Sequence, residues 1–257
     1  MNPYKGLLFK DLKISRNMFF IWLVPAVLGM IGGMAISAYT SQPVGTLPVL
    51  FVFVTVQFIF APLMMISLLN KEGKTMLWLY STRSGMELLL SKLAVIVVYQ
   101  GITQLILIAY AAVSIYWFGR FEIQYLGIGS FVKAMLILSF IQIVIGLFFA
   151  AGCTFLWTVY HSFRNLKKPV RWIIIVAIPV AYNLLESQLM KIEAIKNLMY
   201  HYQIKMITDF SMKYENEVWS AALNSAKMPV LPFVYFALLA TVLIFLAARL
   251  LDRKVEV

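Results

Sequence analysis

The chain has 257 residues, of which 62% are hydrophobic and 13% charged, against roughly 45–50% and 25% in an ordinary soluble domain. A water-surrounded core of this length cannot hide so much apolar surface, so lipid is the expected solvent for most of the chain, with room for about five to seven bilayer spans. The net charge of +11 comes from short basic stretches that adjoin apolar runs, which fits loops beside anionic headgroups and argues against a nucleic-acid-binding domain.

The first stretch, NPYKGLLFKDLKISRNMFF, is too polar to be a span. On a helical wheel Tyr4, Leu7, Leu8, Leu12, Ile14 and Met18 share one side, while Lys5, Lys10, Lys13, Arg16 and Asn17 hold the other. Phe9 and Asp11 break this pattern. A basic amphipathic helix in the membrane plane is expected, turning like an elbow into the first span; a polar lead-in that only enforces topology is the alternative. The apolar run that follows is longer than the 7–15 residues usual in a cleaved signal peptide, so it is read as a retained span.

Six spans are predicted, at about 18–39, 47–69, 89–118, 131–160, 172–185 and 230–251, within a single domain of residues 1–257. The fold class is therefore an all-α integral membrane protein. With the N-terminus inside, the inner segments hold Lys5, Lys10, Lys13, Arg16, Lys71, Lys74, Arg83, Lys92, Arg164, Lys167, Lys168, Arg171, Arg249, Arg253 and Lys254, whereas the two short outer loops hold only Arg120 and Lys133. This asymmetry predicts cytoplasmic termini at both ends. Trp22, Trp117, Trp157 and Trp172 fall near span ends, as interfacial anchors do.

Gly73-Lys74-Thr75 ends like a phosphate-binding loop. Such a loop needs a glycine five residues earlier and a strand leading into it, but Leu68 occupies that place and the preceding residues finish a span. The tripeptide is read as a chance match, and no ATPase site or other catalytic site is expected in this chain. The segment from Asn70 to Lys92 is instead read as a cytoplasmic hairpin. Met76, Leu77, Leu79 and Tyr80 have helical spacing, a turn follows at Ser81 to Gly85, and Ser84 with Glu87 forms a capping box for the next helix. Trp78 and Tyr80 in an inner loop point to a contact surface rather than a plain connection.

This hairpin, the basic elbow helix and the six-span layout resemble the ABC-2 permease family, the membrane subunits of bacterial ATP-binding-cassette exporters. The matching positions are Glu72, Gly73 and Thr75, then Leu77 and Leu79, Ser81 and Arg83, and finally Leu89, Leu90 and Lys92. Lys74 separates the Gly and Thr of the family's turn, and no proline precedes the Ser/Arg turn. The resemblance implies a separate ATPase subunit that carries the ATP and magnesium, so this chain itself holds no cofactor. It also implies a second permease copy or a related permease subunit, in the bacterial plasma membrane. A coupling helix between spans 2 and 3 would contact the ATPase through Glu72, Thr75, Trp78, Ser81, Arg83, Glu87 and Lys92, with Lys5 and Lys10 on the elbow. In the family the second and fifth spans line the path, which singles out Gln57, Asn183 and Glu186.

Read from the residues alone, Gln57, Gln100, Thr103, Gln104 and Gln142 are polar groups in hydrocarbon that need partners, and interhelical hydrogen bonds are the plain expectation. Glu186 either serves a path or reaches the outer interface. Gly29 and Gly33 suit close helix packing, and Pro25, Pro62, Pro179 and Pro232 predict kinks. Cys153, the only cysteine, is read as a small packed side chain. The outer segment from 187 to 227 carries Leu189, Met190, Ile192, Ile195, Leu198 and Met199 at helical spacing and is expected to form amphipathic helices capping the outer mouth. His161 and His201 lack companions at metal-ligand spacing, so no metal is expected.

The expected function is a permease that couples ATP hydrolysis in a partner to export of a hydrophobic or amphipathic substrate, peptide or lipid-like. The alternatives are a secondary transporter or a non-ABC membrane subunit. An intramembrane enzyme would need a catalytic constellation that the spans do not supply.

Overall fold

The computed structural model describes residues 3–40, 44–75, 84–118, 128–163, 165–215 and 218–254. In chain order these form α1 (Pro3–Thr40), α2 (Thr46–Thr75), α3 (Gly85–Val113), a π-helical turn (Ser114–Phe118), α4 (Ile128–Ser162), α5 (Lys168–Leu189), α6 (Glu193–His201), β1 (Gln203–Glu215), β2 (Val218–Pro229) and α7 (Leu231–Lys254). Six of the helices, all but α6, are long and apolar enough to cross a membrane, as a multi-pass membrane protein requires.

The N-terminal stretch is not a separate elbow element. Pro3–Thr40 is one uninterrupted helix of 38 residues, about 57 Å at 1.5 Å per residue. The reason lies in its buried face. Asp11, Ser15, Phe19, Ala26, Met30, Gly33 and Ser37 are buried and recur at helical spacing, which makes one straight stripe on a continuous helix. The basic segment therefore packs along the same seam as the span that follows it.

The outer segment also departs from its expected form. α6 is the amphipathic helix anticipated there, but the chain then turns into an antiparallel hairpin pairing Gln203 with Pro229 and Glu215 with Val218. The register is irregular between Ile207 and Asp209. A backbone hydrogen bond from Val230 N to Tyr202 O, 3.0 Å, closes the hairpin's root, one residue before α7 begins. Spacing alone misleads here because the helical repeat of residues 189–199 stops at His201. Beyond it the sequence is rich in β-branched, aromatic and alternating polar residues.

The core joins five helices. Phe19 of α1, Phe60, Met64, Met65 and Leu68 of α2, Leu89, Val95 and Ile96 of α3, Ala150 and Ala151 of α4, and Ile244, Ala247 and Ala248 of α7 form one buried cluster. Phe19 stacks on Tyr99 with centroids 4.3 Å apart, and Trp22 meets Phe60 edge-on at 4.8 Å. α5 packs against α4 but has no buried residue.

Farther along the bundle, a polar layer pairs the side-chain amides of the span glutamines, leaving Gln100 Oε1 buried without a partner among the described residues. Gln57 donates to the Thr103 hydroxyl (2.5 Å), Gln104 to Gln142 Oε1 (2.6 Å), Gln100 to the Gln142 carbonyl (3.1 Å) and Gln142 to the Val54 carbonyl (2.9 Å). These are the interhelical bonds expected of amides in hydrocarbon, and they fix α2, α3 and α4 against each other.

At the far end Gly33 and Gly45 bring α1 and α2 into close approach. A Cβ on Gly45 would lie 2.5 Å from the Gly33 carbonyl oxygen and 2.7 Å from Ile36 Cβ, while one on Gly32 would meet nothing within 4 Å. Gly45→Ala should therefore lower stability by about 1–3 kcal/mol through overpacking, while Gly32→Ala should cause no loss. Thermal unfolding of the two variants in detergent checks this contrast.

Candidate functional site

Asp11 sits on the buried stripe of α1, not among the lysines that flank it. Its side chain is fully buried, as is that of Lys92 on α3, and Glu72 near the end of α2 is nearly so. Glu72 Oε1 accepts from Lys10 Nζ at 2.5 Å and Oε2 lies 2.6 Å from Lys92 Nζ. Lys92 Nζ is also 3.4 Å from each Asp11 oxygen, and the Ser91 hydroxyl donates to Asp11 Oδ2 at 2.5 Å. The four charges sum to zero.

The arrangement follows from local geometry. Lys10 and Asp11 are neighbours on α1, so one reaches the half-exposed edge while the other points inward. Ser91 and Lys92 are neighbours in the second turn of α3. α2 runs six residues past the predicted end at Leu69, which carries Glu72 to the same level. Gly73, Lys74 and Thr75 then form the end of a helix, a geometry unlike the strand-to-helix turn of a phosphate loop.

Further bonds tie the same end together. Lys71 Nζ donates to the Ile14 carbonyl (2.9 Å), the Tyr99 hydroxyl to the Leu12 carbonyl (3.0 Å) and the Trp157 indole to Asn70 Oδ1 (2.8 Å). Ser84 caps α3, accepting from Glu87 N at 3.4 Å, as its capping-box sequence predicts. From α7, Asp252 Oδ1 accepts from Gly85 N at 2.7 Å. Gly85 permits this approach, since a Cβ there would lie 2.7 Å from that oxygen and 3.0 Å from the Ala248 carbonyl. The early turns of α1 and the last turn of α7 thus both meet the start of α3, so α1 begins and α7 finishes at one end of the bundle.

Of the residues singled out in the sequence, Glu72, Lys92 and Lys10 come together in this cluster. Lys5 is exposed on α1 and Glu87 is half-buried in the first turn of α3. Thr75 is the last residue of α2; Trp78, Ser81 and Arg83 lie outside the described residues. The three path candidates are not brought together: Gln57 is buried in the polar layer, while Asn183 is exposed and Glu186 half-buried on α5. Asp11, Ser91 and Asp252 escape sequence reasoning as site residues. A signal for Asp11 is nonetheless present, because it is the acidic residue that breaks the amphipathic wheel.

Chemically, the cluster is an ionic clamp. Each carboxylate faces an ammonium, and the shared Lys92 touches both acids. Burying an isolated ion costs several kcal/mol, and removing one member of a buried set strands the others. Among the described residues no group of three His, Cys, Asp or Glu side chains could hold a metal. Lys92→Met should leave Asp11 and Glu72 with excess negative charge and destabilise the protein by about 3–5 kcal/mol. Lys5→Met, at an exposed site, should change stability by less than about 0.5 kcal/mol. Paired melting curves in one detergent measure the difference.

Among known proteins, no family model matches the chain, and no solved structure matches it. A protein of Bacillus subtilis (strain 168), named "Uncharacterized protein YhcE", is 30% identical over 262 aligned residues that cover 100% of both chains. The similarity thus covers the full length of the chain, which belongs to the family of the Bacillus subtilis YhcE protein.

Proposed function

We propose that this chain is the permease subunit of an ATP-driven exporter in the bacterial plasma membrane, receiving force from a separate ATPase subunit. The observation that carries the reading is the ionic clamp. It joins the early turns of α1 to the end of α2 and the start of α3, the two helix ends that flank residues 76–83. A push delivered to that connection would reach three helices as one body, because charges locked at 2.5–3.4 Å cannot separate without exposing unpaired ions to low dielectric. An ordinary connecting loop has no need of such bracing.

The meeting of α1's start and α7's end at one end of the bundle fits an even number of spans, and the basic excess in those segments favours a cytoplasmic location for that end. Few fixed charges lie along the spans, which favours hydrophobic or amphipathic cargo over a small ion. In this reading Glu72, Lys92 and Lys10 brace the coupling segment, Arg83 and Trp78 face the ATPase, and ATP and magnesium belong to the partner.

Affinity-tagged chain purified from its native membrane should retain an ATPase subunit, and Arg83→Glu should reduce that retention about tenfold. Equal retention by the variant, or no ATPase at all, removes the coupling role. For orientation, cysteines replacing Lys5 and Lys191 in a Cys153→Ser background should separate cleanly. A membrane-impermeant maleimide added to intact cells should label position 191 and spare position 5.

A further inference from the structure

We propose that the outer ends of α5 and α7 form a binding site for an organic ammonium group, built on the Glu186 carboxylate and the hydroxyls of Tyr182 and Tyr235. The proposal rests on the permease reading for one step, that the ammonium belongs to the amphipathic cargo.

The site follows from where two helices stop and start. α4 ends beside the last turns of α2, where Trp157 bonds to Asn70, so α5 sets out from the clamp end of the bundle and α7 returns to it. The end of α5 and the start of α7 therefore share the opposite end. Tyr182 lies about 21 Å and Glu186 about 27 Å along a helix of about 33 Å. Tyr235 stands in the second turn of α7, and its hydroxyl meets that of Tyr182 at 3.3 Å. Glu186 is one turn beyond Tyr182 on the same side of α5. It is half-buried and close enough to act on the Tyr182 hydroxyl.

What these three groups lack is a positive charge. A phenol donates one proton and accepts in return, so Tyr235, Tyr182 and Glu186 can link in series. Such a chain solvates the carboxylate without neutralising it. Among the described residues no lysine, arginine or histidine pairs with Glu186, whereas Asp11 and Glu72 each face an ammonium. A carboxylate near the hydrocarbon with no cation beside it is a candidate for holding one that comes and goes.

The donor set selects the class of cation. Calcium takes about six to eight oxygen ligands and magnesium a strict octahedron, but here one carboxylate and two phenols converge. Among the described residues no three His, Cys, Asp or Glu side chains gather to hold a metal. An alkylammonium asks for less: one negative charge, a few acceptors and aromatic surface for its methyl groups. Aromatic surface continues from Tyr235 to Phe236 at 5.4 Å, and from there to Phe148 of α4 at 4.9 Å. An apolar tail on the same molecule has lipid beside it.

Fluorescence anisotropy of the purified chain in maltoside detergent, with no ATPase present, tests the site. Two dansylated alkyl chains serve as probes, one ending in trimethylammonium and the other in a hydroxyl. The chain should bind the ammonium probe saturably and the hydroxyl probe far more weakly. Glu186→Gln should weaken ammonium binding about tenfold, through loss of a charged partner, while Glu186→Asp should retain most of it. Glu193→Gln, at an exposed acid in the first turn of α6, should change nothing. Tyr182→Phe combined with Tyr235→Phe should cost about threefold, a second test if the glutamine variant does not fold. Equal affinity for the two probes, or equal ammonium binding by the unaltered chain and Glu186→Gln, overturns the proposal. A retained ATPase on a chain that does not distinguish the probes removes the site and leaves the permease reading standing. Selective ammonium binding with no ATPase does the reverse.

Discussion

Two acids and two lysines removed from water must stay together, and this requirement organises one end of the molecule. Asp11, Glu72 and Lys92 are too deeply placed to be hydrated and too strongly charged to remain alone. Their helices are therefore held at one relative height, since sliding α1 by a single turn would carry Asp11 about 5.4 Å away from Lys92. Hydrophobic packing such as that of Phe19 on Tyr99 is less particular about register. The ionic set supplies the register, and the aromatic and methionine contacts beneath it supply the cohesion.

The bundle has a graded character along its length. The clamp lies at one end, the glutamine layer at an intermediate level, and the Gly33–Gly45 approach near the other end. Each device suits its depth. Full charges sit beyond the most apolar zone, neutral amides lie within it, and bare backbone contact serves where two helices turn back. α5 takes part in none of the three and buries no residue within the chain.

The six spans are legible in the sequence because continuous apolar runs of span length leave little choice. Their ends are less so. α2 outruns its apolar stretch because Glu72 and Lys71 find partners that a polar helix end would otherwise seek in water. Asp11 is visible as an anomaly but not as an answer, since its partners lie 80 and 81 residues away in sequence and no local pattern links them. The elbow reads as a separate element because a basic face suggests a headgroup surface; the structure leaves Lys5, Lys13 and Arg16 exposed but packs the Asp11 and Ser15 side of the same helix against its neighbours. The hairpin is hidden by a helical repeat that covers only the first part of the outer segment. Gln57, drawn toward the path by resemblance, donates to Thr103 across α2 and α3, the interhelical bond that its chemistry alone suggests.

The bond from Gly85 to Asp252 spans 167 residues and has a consequence for biosynthesis. The amide that opens the third helix has to wait for a carboxylate that the ribosome has not yet added when the earlier helices reach the bilayer. The bundle is thus latched late, after its sixth span has emerged, and a polypeptide broken off just before that aspartate would keep all its greasy segments yet lack the fastening at their shared base.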